Sequence, residues 1–322
     1  MKKIIFFLSV FVTAVSADAQ QLPRYGHFVL NPFLVNPAYA GTISQFPVYL
    51  TMRNQWSGLD GAPTSAIASS HISAPFHTGV GAILQYDDFG GAFTRTSIEG
   101  AGSYRIDLNN YDAVSFGLGL AAIQNKFDPS GIKVLNEDDA ALNYMQTETS
   151  INLDASLGML IYGPDYYFGL SVPQVIQTRW NMAGPDSANN KNTRHYMLMG
   201  GYRYRLMKDI DLHGAGLIRM TGVTRPQFDC NVRGEYRETY FAGFGYRYKD
   251  AVSMLLGGYY FNFMLAYNFE FSASKSRYMS PYTHEITLGY IIKGKRATMV
   301  KRNIVKSGKS GPKTMKSRKK IK

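Results

Sequence analysis

Between Val48 and Ile292 the chain is a succession of short segments in which apolar and polar side chains alternate, and helical periodicity is nearly absent. Alternation at period two marks a strand whose two faces meet different surroundings. From Asn152 to Ile161, Leu153, Ala155, Leu157, Met159 and Ile161 share one face, while Asn152, Asp154, Ser156 and Gly158 share the other. In 228–236, Phe228, Cys230, Val232 and Tyr236 alternate with Asp229, Asn231, Arg233 and Glu235. The same pattern sets Phe263, Leu265, Tyr267, Phe269 and Phe271 against Asn268 and Glu270, and Ile286, Leu288 and Tyr290 against Glu285 and Thr287. Read this way, the chain is all-β. Strands are predicted near 48–56, 64–73, 78–87, 93–105, 112–125, 149–162, 166–173, 194–205, 210–221, 227–236, 239–248, 252–260, 263–271 and 284–292.

A soluble sandwich and a membrane barrel both alternate in this way; the first puts the apolar face inside, the second puts it toward lipid. Two features favour the barrel. Tyr and Phe are abundant, 23 and 19, and many Tyr stand at strand ends, where a barrel carries its aromatic girdles. The number of predicted strands, about 14, is even, and the three longest connections (126–148, 174–193 and 272–283) all fall on one parity. Short turns at one end and long loops at the other are the asymmetry of an outer-membrane barrel. With both termini on the periplasmic side, the long loops face outward.

The ends of the chain agree with export. Met1-Lys2-Lys3, the apolar run from Ile4 to Val15 and the small-residue site Ala17-Asp18-Ala19 have the order of a secretory signal peptide, 1–19. Its apolar run falls short of the ~20 residues a membrane-spanning helix needs. One cysteine, Cys230, excludes an internal disulfide framework. Net charge is +12, but residues 293–322 hold 13 of the 35 Lys and Arg and no acid. Without that stretch, 22 basic residues face 23 acidic ones, so a basic nucleic-acid groove is not implied. Lys295, Arg296, Lys301, Arg302, Lys316, Arg318, Lys319 and Lys320 belong to a tail predicted to be disordered on its own, hanging on the periplasmic side.

No motif carries catalysis. The Gly-rich stretches 79–91 and 117–126 do not complete a phosphate-binding loop that opens a helix. The six histidines show no i, i+4 pair and no cysteine cluster, so neither metal nor other cofactor is called for. Twelve charged residues are predicted on the inner face, from Arg95, Glu99, Arg105 and Asp154 through Asp211, Arg219, Asp229, Arg233 and Glu235 to Arg247, Glu270 and Glu285. Five are basic and seven acidic, which predicts mutual pairing across strands and no ion preference.

The least generic stretch is Asn31 to Pro63, NPFLVNPAYAGTISQFPVYLTMRNQWSGLDGAP. Asn31-Pro32 and Asn36-Pro37 push each asparagine out of the helical region, and Gly41 and Gly61 sit where the chain can turn with positive φ. Residues 20–47 are predicted to begin at the periplasmic side and to fold into or under a barrel formed by 48–292, as a plug. Arg53, Gln55 and Trp56 are placed on or at the end of the first strand, and 57–63 form the first outer loop.

Two parts of this stretch, Asn31, Pro32, Asn36, Pro37, Ala38, Tyr39, Ala40 and Gly41, then Arg53, Gln55, Trp56, Gly58, Asp60, Gly61, Ala62 and Pro63, resemble the PorP/SprF family of the Bacteroidetes type IX secretion system. The resemblance implies a non-enzymatic outer-membrane barrel needed for export or surface attachment of cargo proteins, and links to gliding motility. The partners it implies are the periplasmic ring lipoprotein and its partner, a peptidoglycan-linked periplasmic protein, the cargo itself and outer-membrane lipids, with no nucleic acid. An outer-membrane solute channel of porin or fatty-acid-transporter type is the alternative reading of the same strands.

Overall fold

The computed structural model describes residues 26–131, 146–178, 192–222, 226–274 and 280–292. The expected signal peptide, the start of the expected N-terminal segment and the basic tail from Lys295 to Lys320 lie outside these residues.

Fourteen antiparallel strands close into one barrel: β1 (Phe46–Asn54), β2 (Thr64–Ala74), β3 (Thr78–Asp88), β4 (Phe93–Asp107), β5 (Ala113–Phe127), β6 (Glu148–Tyr162), β7 (Tyr166–Val172), β8 (His195–Met207), β9 (Ile210–Thr221), β10 (Gln227–Tyr236), β11 (Tyr240–Arg247), β12 (Ala251–Tyr260), β13 (Phe263–Ser272) and β14 (Tyr282–Ile292). Each strand pairs with its sequence neighbours, and β1 closes on β14 in a register running from Phe46 opposite Ile292 to Asn54 opposite His284. Closure removes the sheet edges, which a sheet in lipid cannot leave unpaired. Among the described residues no helix is long and apolar enough to cross a membrane; the strands make the crossing.

The alternation works as a membrane barrel requires. Leu50, Met52, Leu84, Ile98, Leu153 and Leu265 are exposed on the outer face, while Asp154, Asp229, Glu270 and Glu285 are buried inside. The short connections 75–77, 108–112, 163–165, 208–209, 237–239 and 261–262 share one end with the start of β1 and the end of β14. This is the turn end. The opposite, loop end carries the two longest connections, 128–147 and 173–194, and the outer connections 55–63 and 273–281 beside the β1/β14 seam.

β1 differs from its expected bounds by two residues. It stops at Asn54, because Trp56 takes a left-handed φ of 56° that no strand continues through. Gln55 and Trp56 therefore belong to the loop, and only Arg53 of that motif lies on the strand.

Candidate functional site

Inside the barrel lies the segment from Gly26 to Thr42. Its two Asn-Pro steps build the same device twice, five residues apart. Pro32 and Pro37 each open a 3-10 turn, Pro32–Leu34 and Pro37–Tyr39, where a missing N–H costs nothing and a fixed φ is already suited to the turn. Leu34 N–H donates to Asn31 O and Tyr39 N–H to Asn36 O, closing both turns. Gly41, at φ 68°, then turns the chain toward β1.

The asparagine side chains do different work. Asn36 Oδ1 accepts from the Ala38 amide at 2.9 Å and so caps its own turn. Its Nδ2 donates to the carbonyls of Met159 at 3.0 Å and Leu170 at 3.2 Å, which sit opposite each other on β6 and β7. Asn31 makes no such cap and donates instead to Ser69 Oγ at 2.7 Å. Serines supply the reverse contacts: Ser103 Oγ donates to Ala40 O at 2.7 Å and Ser171 Oγ to Val35 O at 2.5 Å. Gly41 N–H donates to His71 Nδ1 at 3.3 Å, with the His71 ring flanked by Phe33 and Tyr39. Burial lifts the Tyr39 phenol up to about 12, so it stays protonated.

This seat exists because the wall lacks side chains. A Cβ on Gly117 would lie 2.2 Å from the Ala38 nitrogen, one on Gly158 2.1 Å from Asn36 Oδ1, and one on Gly79 2.3 Å from Ala40 O. Gly81 and Gly169 face Phe33 and Asn36 in the same way. At Gly79, Gly81 and Gly117 the space a side chain would fill is taken by the luminal segment.

The described part of the segment begins in the loop-end half, where Gly26 donates its N–H to Glu285 Oε2 at 3.0 Å, three residues from the loop-side end of β14. The chain then descends through the barrel: Phe28 packs on Met197, Met199 and Leu217, Phe33 on Ala40 and Ala101, and Ala40 reaches Gly79 at the turn end. Leu30 packs against a second cluster, Tyr49, Phe241, Leu255, Met264 and Ala266, and Val29 touches both clusters. Buried apolar contacts of this kind contribute ~25 cal/mol per Å² removed from water.

The second motif sits at the loop end and does not meet the first. Trp56 N–H donates to Thr283 Oγ1 at 3.2 Å and Ser57 N–H to Tyr282 O at 2.8 Å, laying this loop over the β1/β14 seam. Gln55 N–H closes the loop on Pro63 O, and Gly58 and Gly61 hold positive φ within it. Asp60 and Ala62 belong to the same loop; Asp60 is exposed and Ala62 half-buried, its N–H bonded to Leu59 O. Arg53 points inward and is buried. Its guanidinium meets Glu285 at 3.0 Å and Glu270 at 3.2 Å.

From Arg53 a continuous belt of charges crosses the loop-end half. Glu270 meets Arg247 at 3.0 Å, Arg247 meets Asp229 at 2.9 Å, and Asp229 meets Arg219 at 2.8 Å. The expected cross-strand pairing of inner-face charges is present here. Glu285 joins everything, since its Oε2 receives both Arg53 and Gly26. Ser69, His71, Ser103 and Ser171 were not singled out from sequence as contacts of the segment. A serine on a strand looks like any lumen residue until its carbonyl partner is known.

A closed barrel with a buried polar lining, an apolar exterior and its own N-terminal segment threaded through the lumen defines a class: an outer-membrane β-barrel with an occupied interior. Its strands superpose on solved outer-membrane proteins. A monoaromatic hydrocarbon channel, a TodX variant, matches with TM-score 0.51 and 10% identity, covering 84% of this chain and 94% of that one. The toluene transporter TbuX of Ralstonia pickettii (TM-score 0.47, 9% identity, 82% and 93% covered) and a Pseudomonas aeruginosa FadL homologue (0.48, 9%, 85% and 95%) are also similar. Identities this low speak to fold alone. No curated protein matches the chain. The family described as type IX secretion system membrane protein PorP/SprF matches residues 17–290, and the chain belongs to that family.

Proposed function

We propose that this chain is a non-enzymatic outer-membrane component of type IX secretion, in which residues 26–42 plug the barrel while the barrel receives or tethers cargo and couples it to periplasmic machinery. The single observation that carries this reading is the two-sided packing of the plug. Phe28 packs on the wall at β8 and β9, Leu30 on the wall cluster of β1 and β11 to β13, and Asn36 is bonded to the wall's own carbonyls, which supports a filled lumen over a solute channel. Family membership supports the secretion role.

In this reading the turn end faces the periplasm, the basic tail after Ile292 extends from it toward the ring lipoprotein and its partner or the peptidoglycan-linked protein, and the Trp56 loop faces outward. The motif residues from Asn31 to Gly41 are the plug's seat-makers, and those from Arg53 to Pro63 secure the seam above it. Deleting the gene and fractionating type IX cargo tests the proposal. Cargo retained in the periplasm is the expected result; cargo at its normal surface level would contradict it. Removing 296–322 should lower co-purification of periplasmic partners at moderate salt.

A further inference from the structure

On the outer wall, between β9, β10 and β11, an apolar groove of about 350 Å³ opens toward the membrane. Its floor is Gly216 opposite Cys230, with Tyr246 beyond. One step nearer the loop end, Leu198, Ile218 and Phe228 form a rim across three strands, and Tyr248 stands edge-on to Phe228 at 6.4 Å. Above Tyr248 comes Lys249, whose ammonium rests 5.1 Å over the Tyr248 ring. Lys249 is exposed, and among the described residues no carboxylate pairs with it.

We propose that this groove is a built seat for one acyl chain of a phosphorylated glycolipid of the outer leaflet, with Lys249 holding the phosphate. Three observations meet here. The groove lies within the band of outward apolar side chains, so its occupant is hydrocarbon. It opens directly beneath a cation at the rim, and anionic lipid headgroups collect at such cations. Lys249 lies in the turn that follows β11, on the loop-end side of Tyr246, the residue that pairs with Cys230 on the groove floor, as a headgroup stands at the membrane surface above its chain. Gly100 also faces open space, between Ala82 and Leu120, with no aromatic ring opposite it on either neighbouring strand. The loop end is taken as the outer side, in keeping with the orientation above; the inference does not otherwise depend on the secretion role.

Gly216 is well suited to a test, because the nearest atom to an added Cβ is Asp229 O at 3.7 Å, so a side chain enters the groove without displacing the wall. Full-length barrel in detergent, supplied with lipid A or with phosphatidylglycerol, is examined by native mass spectrometry. Wild type should retain one lipid A, Gly216→Leu should lose it, Lys249→Gln should retain less, and Gly100→Leu should match wild type. Alkylating the one cysteine, Cys230, with a bulky apolar maleimide on the folded protein should also expel the lipid, without any refolding step. Equal retention by wild type, Gly216→Leu and the alkylated barrel would overturn the site. Displacement of phosphatidylglycerol in place of lipid A would overturn the assigned lipid.

Discussion

Two regions hold the luminal segment in different ways. At the turn end the segment is seated on β3 to β7 by shape: wall glycines admit its backbone, Ser103 and Ser171 donate to its carbonyls, and Asn36 donates to the wall's own, while the Arg233–Glu235 pair stands farther round on β10. At the loop end the wall is a belt of five buried ion pairs from Glu285 through Arg53, Glu270, Arg247 and Asp229 to Arg219, and among the described residues the segment bonds to it through Gly26. The first arrangement depends on shape, the second on charge balance. An added methyl group should disturb only the first, and a lost charge chiefly the second.

That contrast yields a graded series. The largest effect is expected from Arg53→Ala. It leaves Glu285 and Glu270 buried beside a missing partner, and uncompensated buried charge typically costs ~3–5 kcal/mol. A urea titration of the lipid-reconstituted barrel should show a much lower midpoint. If Arg53→Met proves as stable as wild type while Arg53→Ala does not, packing and not charge is what the site needs.

Next comes Gly117→Val, which drives a side chain into the Ala38 amide; overpacking of this kind costs ~1–3 kcal/mol. It should loosen the segment while the strands stay paired, so protease should cut between 26 and 42 in a barrel that still migrates as folded on an unheated gel. Asn36→Ala removes a cap and two bonds to the wall and should cost about 1–2 kcal/mol. Asn31→Ala, with one bond to Ser69, should cost less. The smallest effect belongs to Gly100→Ala. Its Cβ meets nothing within 4 Å, so stability should stay within about 0.5 kcal/mol of wild type. Equal effects from Gly117→Ala and Gly100→Ala would dissolve the distinction between the two faces.

The barrel was legible because its rule is local. Alternation in 227–236 and 210–221 returned the strand bounds unchanged, and loop parity fixed which end carries the long connections. Trp56 misled the reading by two residues, since an aromatic after Arg-Asn-Gln looks like strand until its φ is seen. The Asn-Pro motif announced turns but not their seat. Asn36 is specified by the carbonyls of Met159 and Leu170, more than 120 residues away, and a carbonyl leaves no mark in sequence. The same holds at Gly26: nothing near it in sequence indicates that its partner is Glu285.

The central claim is that residues 26–42 fill the folded barrel. In a Cys230→Ser background, Tyr39→Cys is exposed to a bulky hydrophilic thiol reagent from the turn side, with Phe76→Cys, 87% exposed on the β2–β3 turn, as the reference. The account predicts prompt labelling at position 76 and none at position 39 until urea unfolds the barrel. Labelling at position 39 as fast as at 76 in the folded protein would contradict it.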